Sequence, residues 1–211
     1  IKQDGSVGYY QTVNKTTPVA GDVKYVDRNG DGVVDDNDRD IIGNPNPDFT
    51  YGFQTKVSWK SLSLSASFNG VQGRDILNVG NRYNNTPGTK SNNVTRKAFQ
   101  NMWTDENPSN LYPKSTFVVQ NMVMDRYVED GSYLRCSDIT LSYVLPAKWT
   151  NKIGIKNTSV YASVKNAFVI TDYSGYDPEV NSFAFDGLRP GVDMNSYPTP
   201  RSFVFGLNLT F

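Results

Sequence analysis

The stretch "FTYGFQTKVSWKSLSLSASF", residues 49–68, decides the fold, because it alternates apolar and polar side chains on both sides of a tight turn. Before the turn at 60–61, the odd positions of 49–59 are apolar apart from Thr55, and the even positions are polar or small. After the turn, the even positions of 62–68 are apolar and the residues between them are serines. Successive side chains of a strand point to opposite faces, so the pattern predicts a β-hairpin with one apolar and one polar face.

The same alternation recurs in three later segments of the chain. It is found within 132–145 and 158–168, and in 203–211 every second residue is apolar up to Phe211. These segments predict three further strands, and therefore an all-β chain with five antiparallel strands. Strands of this length suffice to cross a bilayer when tilted, since about 9–11 residues are needed.

The connections between the predicted strands are alternately short and long. The links at 60–61 and 146–157 are short, whereas those at about 70–131 and 171–200 are long. A compact soluble domain rarely contains such long connections without structure of their own. An outer-membrane barrel combines alternating strands with short periplasmic turns and long extracellular loops. The pattern therefore favours the C-terminal portion of a transmembrane β-barrel with long extracellular loops.

Aromatic residues support the same interpretation, because an interfacial girdle belongs at the short-turn ends of the strands. Those found there are Trp59, Tyr143, Trp149 and Phe211. Five strands cannot close a barrel, and an open edge in lipid leaves backbone donors and acceptors unpaired. We therefore expect this chain to pair with strands that lie outside it. The alternative that the pattern leaves open is a soluble β-sandwich with one face inward and one outward.

The composition excludes several classes of function. The 211 residues include 21 Lys and Arg against 21 Asp and Glu, which gives no argument for a nucleic-acid partner. There is no His and a single Cys, Cys136, so His-dependent catalysis, an internal disulfide and a Cys-based zinc site are excluded. By alternation with Ile139 and Leu141, Cys136 is expected to face the lumen as a small filler. The chain begins at Ile1 without an initiator Met or an export signal, and we expect it to be a piece of a longer protein.

The sharpest local motif is "DRNGDGVVDDND", residues 27–38, which matches the spacing of a twelve-residue calcium loop. Gly32 takes the sixth position, where the sharp bend requires glycine. Asp38 stands at the twelfth position in place of Glu, and no helices flank the loop, so a structural calcium site is expected rather than a sensor. The alternative is an Asx-rich turn without metal. The predicted ligands are Asp27, Asn29, Asp31, the Val33 carbonyl, Asp35 and Asp38.

A helix is predicted within the first long loop, in "NNVTRKAFQNMW", residues 92–103. Asn92 or Asn93 is expected to cap it. Its apolar stripe, together with Phe99 and Trp103, is expected to pack on the rest of the loop.

The long loops also carry residues that invite a functional interpretation. Asp177 and Glu179 form a carboxylate pair that could in principle act on a glycosidic bond. They lie in the turn-like "SGYDPEV", which favours a structural role, and no enzymatic activity is expected. Loop aromatics fit either stacking on sugars or packing against a lid protein: Tyr83, Trp103, Tyr112, Tyr173 and Tyr176.

Four stretches, in order and at compatible spacing, resemble the C-terminal end of the SusC/RagA-like, TonB-dependent outer-membrane transporters of Bacteroidetes. They are "GDVKYVDRNGDGVVDDNDRDIIGNPNPDFTYGF", "GSYLRCSDITLSYVLP", "NAFVITDYSGYDPEV" and "YPTPRSFVFGLNLTF". The resemblance implies a 22-stranded barrel filled by an N-terminal plug. Residues 49–211 would supply its last five strands, and residues 1–48 would form an extracellular loop region that contains the calcium loop.

The resemblance also implies a function and partners. It implies a segment of an importer of oligosaccharides or oligopeptides for nutrient uptake, in the bacterial outer membrane and surrounded by membrane lipid. A SusD-like surface lipoprotein would lid the barrel, TonB would supply energy, and the rest of the barrel and plug would complete the transporter. The competing hypothesis is a secreted, calcium-stabilised β-sandwich that binds glycans.

Overall fold

The structure is a computed structural model that describes residues 19–85, 93–115, 123–150, 155 and 157–210. Asn92 and Phe211, which the sequence analysis assigns to a helix cap and to the end of the last strand, lie outside the described residues. The described residues fall into two compact units, one within 1–42 and 79–127 and the other within 43–78 and 128–211. The functional division at residue 48 stays a prediction.

The second unit contains a five-stranded antiparallel sheet with the strand order β1-β2-β5-β6-β8. Its strands are β1 (Phe49–Trp59), β2 (Leu62–Gln72), β5 (Tyr133–Val144), β6 (Asn157–Thr171) and β8 (Ser202–Thr210). The predicted all-β class and the antiparallel strands are confirmed. Within the described residues β1 and β8 each pair on one side only, so this sheet is open at two edges.

One face of the sheet is apolar and exposed. Phe53 stacks on Phe68 of the neighbouring strand, with ring centroids 4.6 Å apart. Val57, Trp59 and Phe205 on the same face are 65%, 70% and 79% exposed. Alternation from strand to strand brings the apolar residues together, but nothing among the described residues covers them. A β-sandwich would bury this face, so the sandwich alternative is wrong.

A β-bulge changes the predicted orientation of Cys136. Relative to β2, Ser137 is an inserted residue, because Ser67 pairs with Asp138 and Phe68 with Cys136. Cys136 also lies opposite Phe168 of β6. The extra residue moves everything before it to the other face. The expectation that Cys136 faces the lumen is therefore wrong: the side chain lies on the apolar face, fully buried, between two rings whose centroids are 6.3 Å apart.

The long connections of the second unit form a small sheet of their own. Its strands are β3 (Asp75–Asn78), β4 (Val128–Asp130) and β7 (Val192–Asp193), in the order β4-β3-β7. The β3–β7 pairing is parallel, and the Gly191 carbonyl just before β7 accepts a hydrogen bond of 2.8 Å from the Leu77 N–H. Gly191 has φ +69°, and a Cβ there would lie 2.7 Å from Pro45. Glycine is therefore required by both backbone angle and space.

The first unit contains the helices α1 (Val79–Asn85) and α2 (Arg96–Asn101). The Thr95 hydroxyl caps α2 by accepting a hydrogen bond of 3.1 Å from the Ala98 N–H, so the predicted asparagine cap is wrong. The helix is shorter than predicted: Trp103 lies beyond it. Ala98 is fully buried, whereas Phe99 is 65% exposed, because a helix of six residues presents only one face to the unit.

Two short 3-10 turns, at Asp36–Asp38 and Asp125–Tyr127, complete the first unit, and a helical turn α3 (Ala147–Thr150) follows β5 in the second unit. Among the described residues, none of the helices has the length and apolar character needed to span a membrane.

Candidate functional site

The Asp-rich loop is folded by its own carboxylates. Asp27 accepts hydrogen bonds from the backbone N–H of Gly30 at 2.7 Å and of Gly32 at 2.8 Å. Both glycines have positive φ, +76° and +83°, which other residues rarely adopt. The bend that the sequence assigns to Gly32 is therefore present, and it is held by the first carboxylate of the motif.

The last carboxylate closes the other end of the loop. Asp38 accepts hydrogen bonds of 2.8 Å from the backbone N–H of Arg28 and of Asp35. These N–H groups lower the pKa of the Asp38 carboxyl, because they stabilise its charged form. Val34, the apolar residue that follows Val33 in the loop, is buried, with 6% of its surface exposed. The loop is thus tied across its ends without any contribution from flanking helices.

The donor chemistry of this loop suits a calcium ion. Asn29 and Asp31 each accept a backbone N–H two residues on, at 2.9 and 2.8 Å, which leaves further lone pairs on their side-chain oxygens. The side chains of Asn29 and Asp31 also lie within 2.9 Å of each other. In the part of the chain that the structure describes, no group of three or more His, Cys, Asp and Glu side chains is gathered to hold a metal ion. The calcium site remains a prediction.

A buried ionic network lies on the polar face of the large sheet. Arg135 of β5 is 5% exposed, and its guanidinium lies 2.5 Å from the Asp177 carboxylate. Its Nε lies 3.0 Å from Glu179, an ion pair by distance that lacks hydrogen-bond geometry. Glu179 also accepts hydrogen bonds from the Tyr133 hydroxyl at 2.6 Å and from Asn69 at 2.9 Å. Charges removed from water are stable only when paired in this way.

Asp177 connects this network to the backbone of the loop after β6. Its two oxygens accept the N–H of Glu179 at 2.9 Å and of Thr199 at 3.0 Å. Burial acts to raise the pKa of the Asp177 carboxyl, but these N–H groups and the Arg135 guanidinium outweigh it and lower that pKa. The carboxylate pair of the sequence analysis is therefore a structural anchor for the loop.

Arg135, Asn69 and Tyr133 were not predicted from the sequence as partners of this pair. A signal was available, since Arg135 is a charged residue within a segment that is predicted to be a strand. A neighbouring anchor uses Tyr173, which is 5% exposed and donates a hydrogen bond of 2.6 Å to Asp193. Tyr173 is thus unable to stack on a sugar, whereas Tyr176 is 73% exposed.

An open antiparallel sheet with one apolar face, one polar face and anchored long loops defines part of an outer-membrane β-barrel. Curated relatives agree. TonB-dependent receptor P26 of Formosa agariphila is 35% identical over 201 residues, which cover 92% of this chain and 20% of the relative. TonB-dependent receptor SusC of Bacteroides thetaiotaomicron is 34% identical over 194 residues, which cover 89% and 17%.

Solved structures agree as well. The RagAB peptide importer in its closed-closed state superposes with a TM-score of 0.68 and 29% identity, over 81% of this chain and 18% of that one. The open-open state gives the same TM-score with 28% identity, over 96% and 20%. No protein-family model matches the chain.

The chain belongs to the SusC/RagA-like TonB-dependent receptors, and it has the sequence and fold of their C-terminal part. These receptors are outer-membrane proteins and are not enzymes, which confirms the predicted location and the absence of a catalytic role. The chain spans about a fifth of the length of the relatives that it matches.

Proposed function

We propose that this chain forms the C-terminal barrel segment of a TonB-dependent importer of oligosaccharides or oligopeptides. The observation that carries the proposal is the two-faced sheet, whose apolar face suits lipid and whose polar face suits a lumen. β1 and β8 would pair with strands of the remaining barrel, because open edges in lipid are costly. The loops at about 70–131 and 171–200 and the region 1–48 would then be extracellular.

Placement of the short turns at the opposite end supports this orientation. Trp59 ends β1, and Tyr143 of β5 lies two strands away in the same row of the sheet, with Leu62 of β2 between them. Trp149, on the helical turn after β5, is 67% exposed. Exposed aromatics at one level of a sheet are typical of a membrane interface.

The partners of the importer follow from the same proposal. The plug and the remaining strands would fill and close the barrel, a SusD-like lipoprotein would cover the extracellular loops, and TonB would drive transport.

The test is uptake of labelled maltooligosaccharides and oligopeptides by cells that carry the complete receptor, with and without TonB. We expect uptake of one class that depends on both TonB and the receptor. Uptake that does not need TonB, or no uptake of either class of oligomer, would contradict the proposed import function. If no surface lipoprotein copurifies with the receptor, the proposed SusD-like partner is contradicted.

We further propose that the loop at 27–38 binds one structural calcium ion. The support is the spacing of its oxygen-bearing residues along the sequence and the bend at Gly32, where φ is positive. The ion would neutralise the repulsion between Asp27, Asp31, Asp35 and Asp38 and lock the loop. Calorimetric titration of the chelator-treated receptor with calcium should show heat of binding. Asp31→Asn should lower the calcium affinity by roughly ten-fold or more, since the number of charged ligands tunes the affinity of such sites. The matched control is Asp36→Asn, which changes the same charge at a position outside the predicted ligand set. Equal calcium binding by the Asp31→Asn and Asp36→Asn variants would contradict the proposed site.

A further inference from the structure

The first unit contains a small cavity. It measures about 220 Å³ and is lined by Asn81, Asn85, Lys97, Leu111, Tyr112, Arg126 and Tyr127. Ligand pockets that enclose a whole drug-sized molecule measure roughly 300–1,000 Å³. The cavity therefore has room for one unit of an oligomer and not for a longer piece.

The charge around the cavity is of one sign. Lys97 of α2 and Arg126 of the 3-10 turn line it, and none of the seven described lining residues is acidic. Arg126 is held in place, because its Nη2 donates a hydrogen bond of 2.8 Å to the Leu111 carbonyl. The guanidinium has four further N–H donors, in the planar arrangement that matches a carboxylate.

The remaining lining residues shape the cavity. Asn85 is engaged with Asn81 and with the Thr95 hydroxyl, so the amides brace α1 against the start of α2. Tyr112 and Leu111 supply apolar surface beside the two cations. A ring or short aliphatic chain that bears an acidic group fits both parts of this lining, since an aromatic side chain offers a flat apolar contact.

We propose that this cavity is a subsite that binds one carboxylate-bearing unit of an extracellular oligomer, with Arg126 and Lys97 on the carboxylate. The inference rests on the proposed import function and adds a preference for acidic cargo. A uronic acid in a glycan and an acidic residue in a peptide share this chemistry, and the experiment separates the two sources.

The test uses the complete receptor in detergent and two matched pairs of probes. One pair is trigalacturonate and the neutral galactotriose; the other is Gly-Gly-Glu and Gly-Gly-Gln, both with amidated C-termini. We expect the acidic member of one pair to bind roughly ten-fold or more tightly than its neutral partner, with an affinity that falls as salt rises. The pair that shows the preference identifies the source of the carboxylate.

Substitutions then assign the preference to the cavity. The double variant Lys97→Gln and Arg126→Gln should lose it, and Arg126→Lys should retain part of it, since lysine keeps the charge without the planar donors. The control is Arg96→Gln, which removes the same charge from α2 at a position that does not line the cavity. Equal binding of acidic and neutral probes, absence of binding of both acidic probes, or a preference that survives the double variant would overturn the inference. TonB-dependent uptake by the wild-type receptor, measured in parallel, shows whether such a failure concerns the subsite alone or the import function.

Discussion

Replacement of Arg135 by methionine should release the loop that follows β6. The change leaves the Asp177 carboxylate, which is 4% exposed, without its buried countercharge. Removing one partner of a buried ion pair typically costs about 3–5 kcal/mol. Here Asp177 keeps the N–H groups of Glu179 and Thr199, and the side chain of Glu179 is 34% exposed and free to be hydrated. The lower end of the range, about 3 kcal/mol, is therefore expected.

This cost should appear as local opening of the loop, because opening returns the orphaned carboxylate to water. About 3 kcal/mol corresponds to a roughly 100-fold rise in the opening equilibrium. The assay is amide hydrogen exchange of the complete receptor, followed at Glu179 and Thr199, whose N–H groups are hydrogen-bonded to Asp177. Both amides should exchange roughly 100-fold faster in the variant.

The matched control is Lys165→Met, which removes the same charge from the same face of the sheet. Lys165 lies 2.6 Å from Asp138, but its side chain is 54% exposed, so the pair is worth less than about 1 kcal/mol. A second variant, Arg135→Met with Asp177→Asn, removes both charges and should restore part of the protection. Exchange at Glu179 that rises by no more than in the Lys165 variant would refute the reasoning.

Three further predictions concern the second unit. The loop after β6 should keep its protection from hydrogen exchange between pH 8 and pH 5 and lose it only below about pH 4. The pKa of Asp177 is lowered in the folded state, so the stabilisation that this carboxylate contributes is lost only as the pH falls through that pKa. Hydrogen exchange measured against pH checks this, and loss of protection near neutral pH would contradict it. Gly191→Ala should destabilise the small sheet by about 1–3 kcal/mol, because Gly191 has a positive φ and an added Cβ would lie close to its neighbours. At Gly187 an added Cβ would meet nothing within 4 Å, so Gly187→Ala should leave the melting temperature unchanged. Phe205→Lys should lower barrel stability in urea titrations by about 2–4 kcal/mol if that face meets lipid, while Asn208→Lys on the other face should have little effect.

The strands could be predicted from the sequence because alternation is a local property. Each residue of β1 and β2 faces the side that its parity gives, and their register runs without interruption from Phe49 opposite Gln72 to Trp59 opposite Leu62. Cys136 could not be placed in the same way, since Ser137, which is inserted relative to β2, reverses the parity. The sequence "SYLRCSDITLSY" does not reveal whether a residue is inserted. The face on which Cys136 lies is decided only by the pairing of β5 with its two neighbouring strands.

The networks could not be predicted, because their members are distant in sequence. Arg135 and Asp177 are 42 residues apart, and Asn69 and Glu179 are 110 apart. The sequence gives the chemistry of each residue, but their convergence depends on how the long connections return to the sheet. The prediction of an asparagine cap for α2 was wrong for a different reason. Several Asn and Thr side chains lie near the start of this helix, and capping propensity alone does not select Thr95 among them.

The small sheet ties together segments that the chain separates widely. Asp75 accepts the Asn44 N–H at 2.7 Å and donates its own N–H to the Asn44 carbonyl at 2.8 Å, while Leu77 is bonded to Gly191. The approach to β1, the connection after β2 and the loop after β6 are therefore fixed to one another within the second unit. Since each contact uses backbone groups that would otherwise be unpaired, separating the segments costs several hydrogen bonds at once. Any rearrangement of these three segments should consequently occur as the movement of one body, and the buried Arg135 anchors that body to the polar face of the barrel strands.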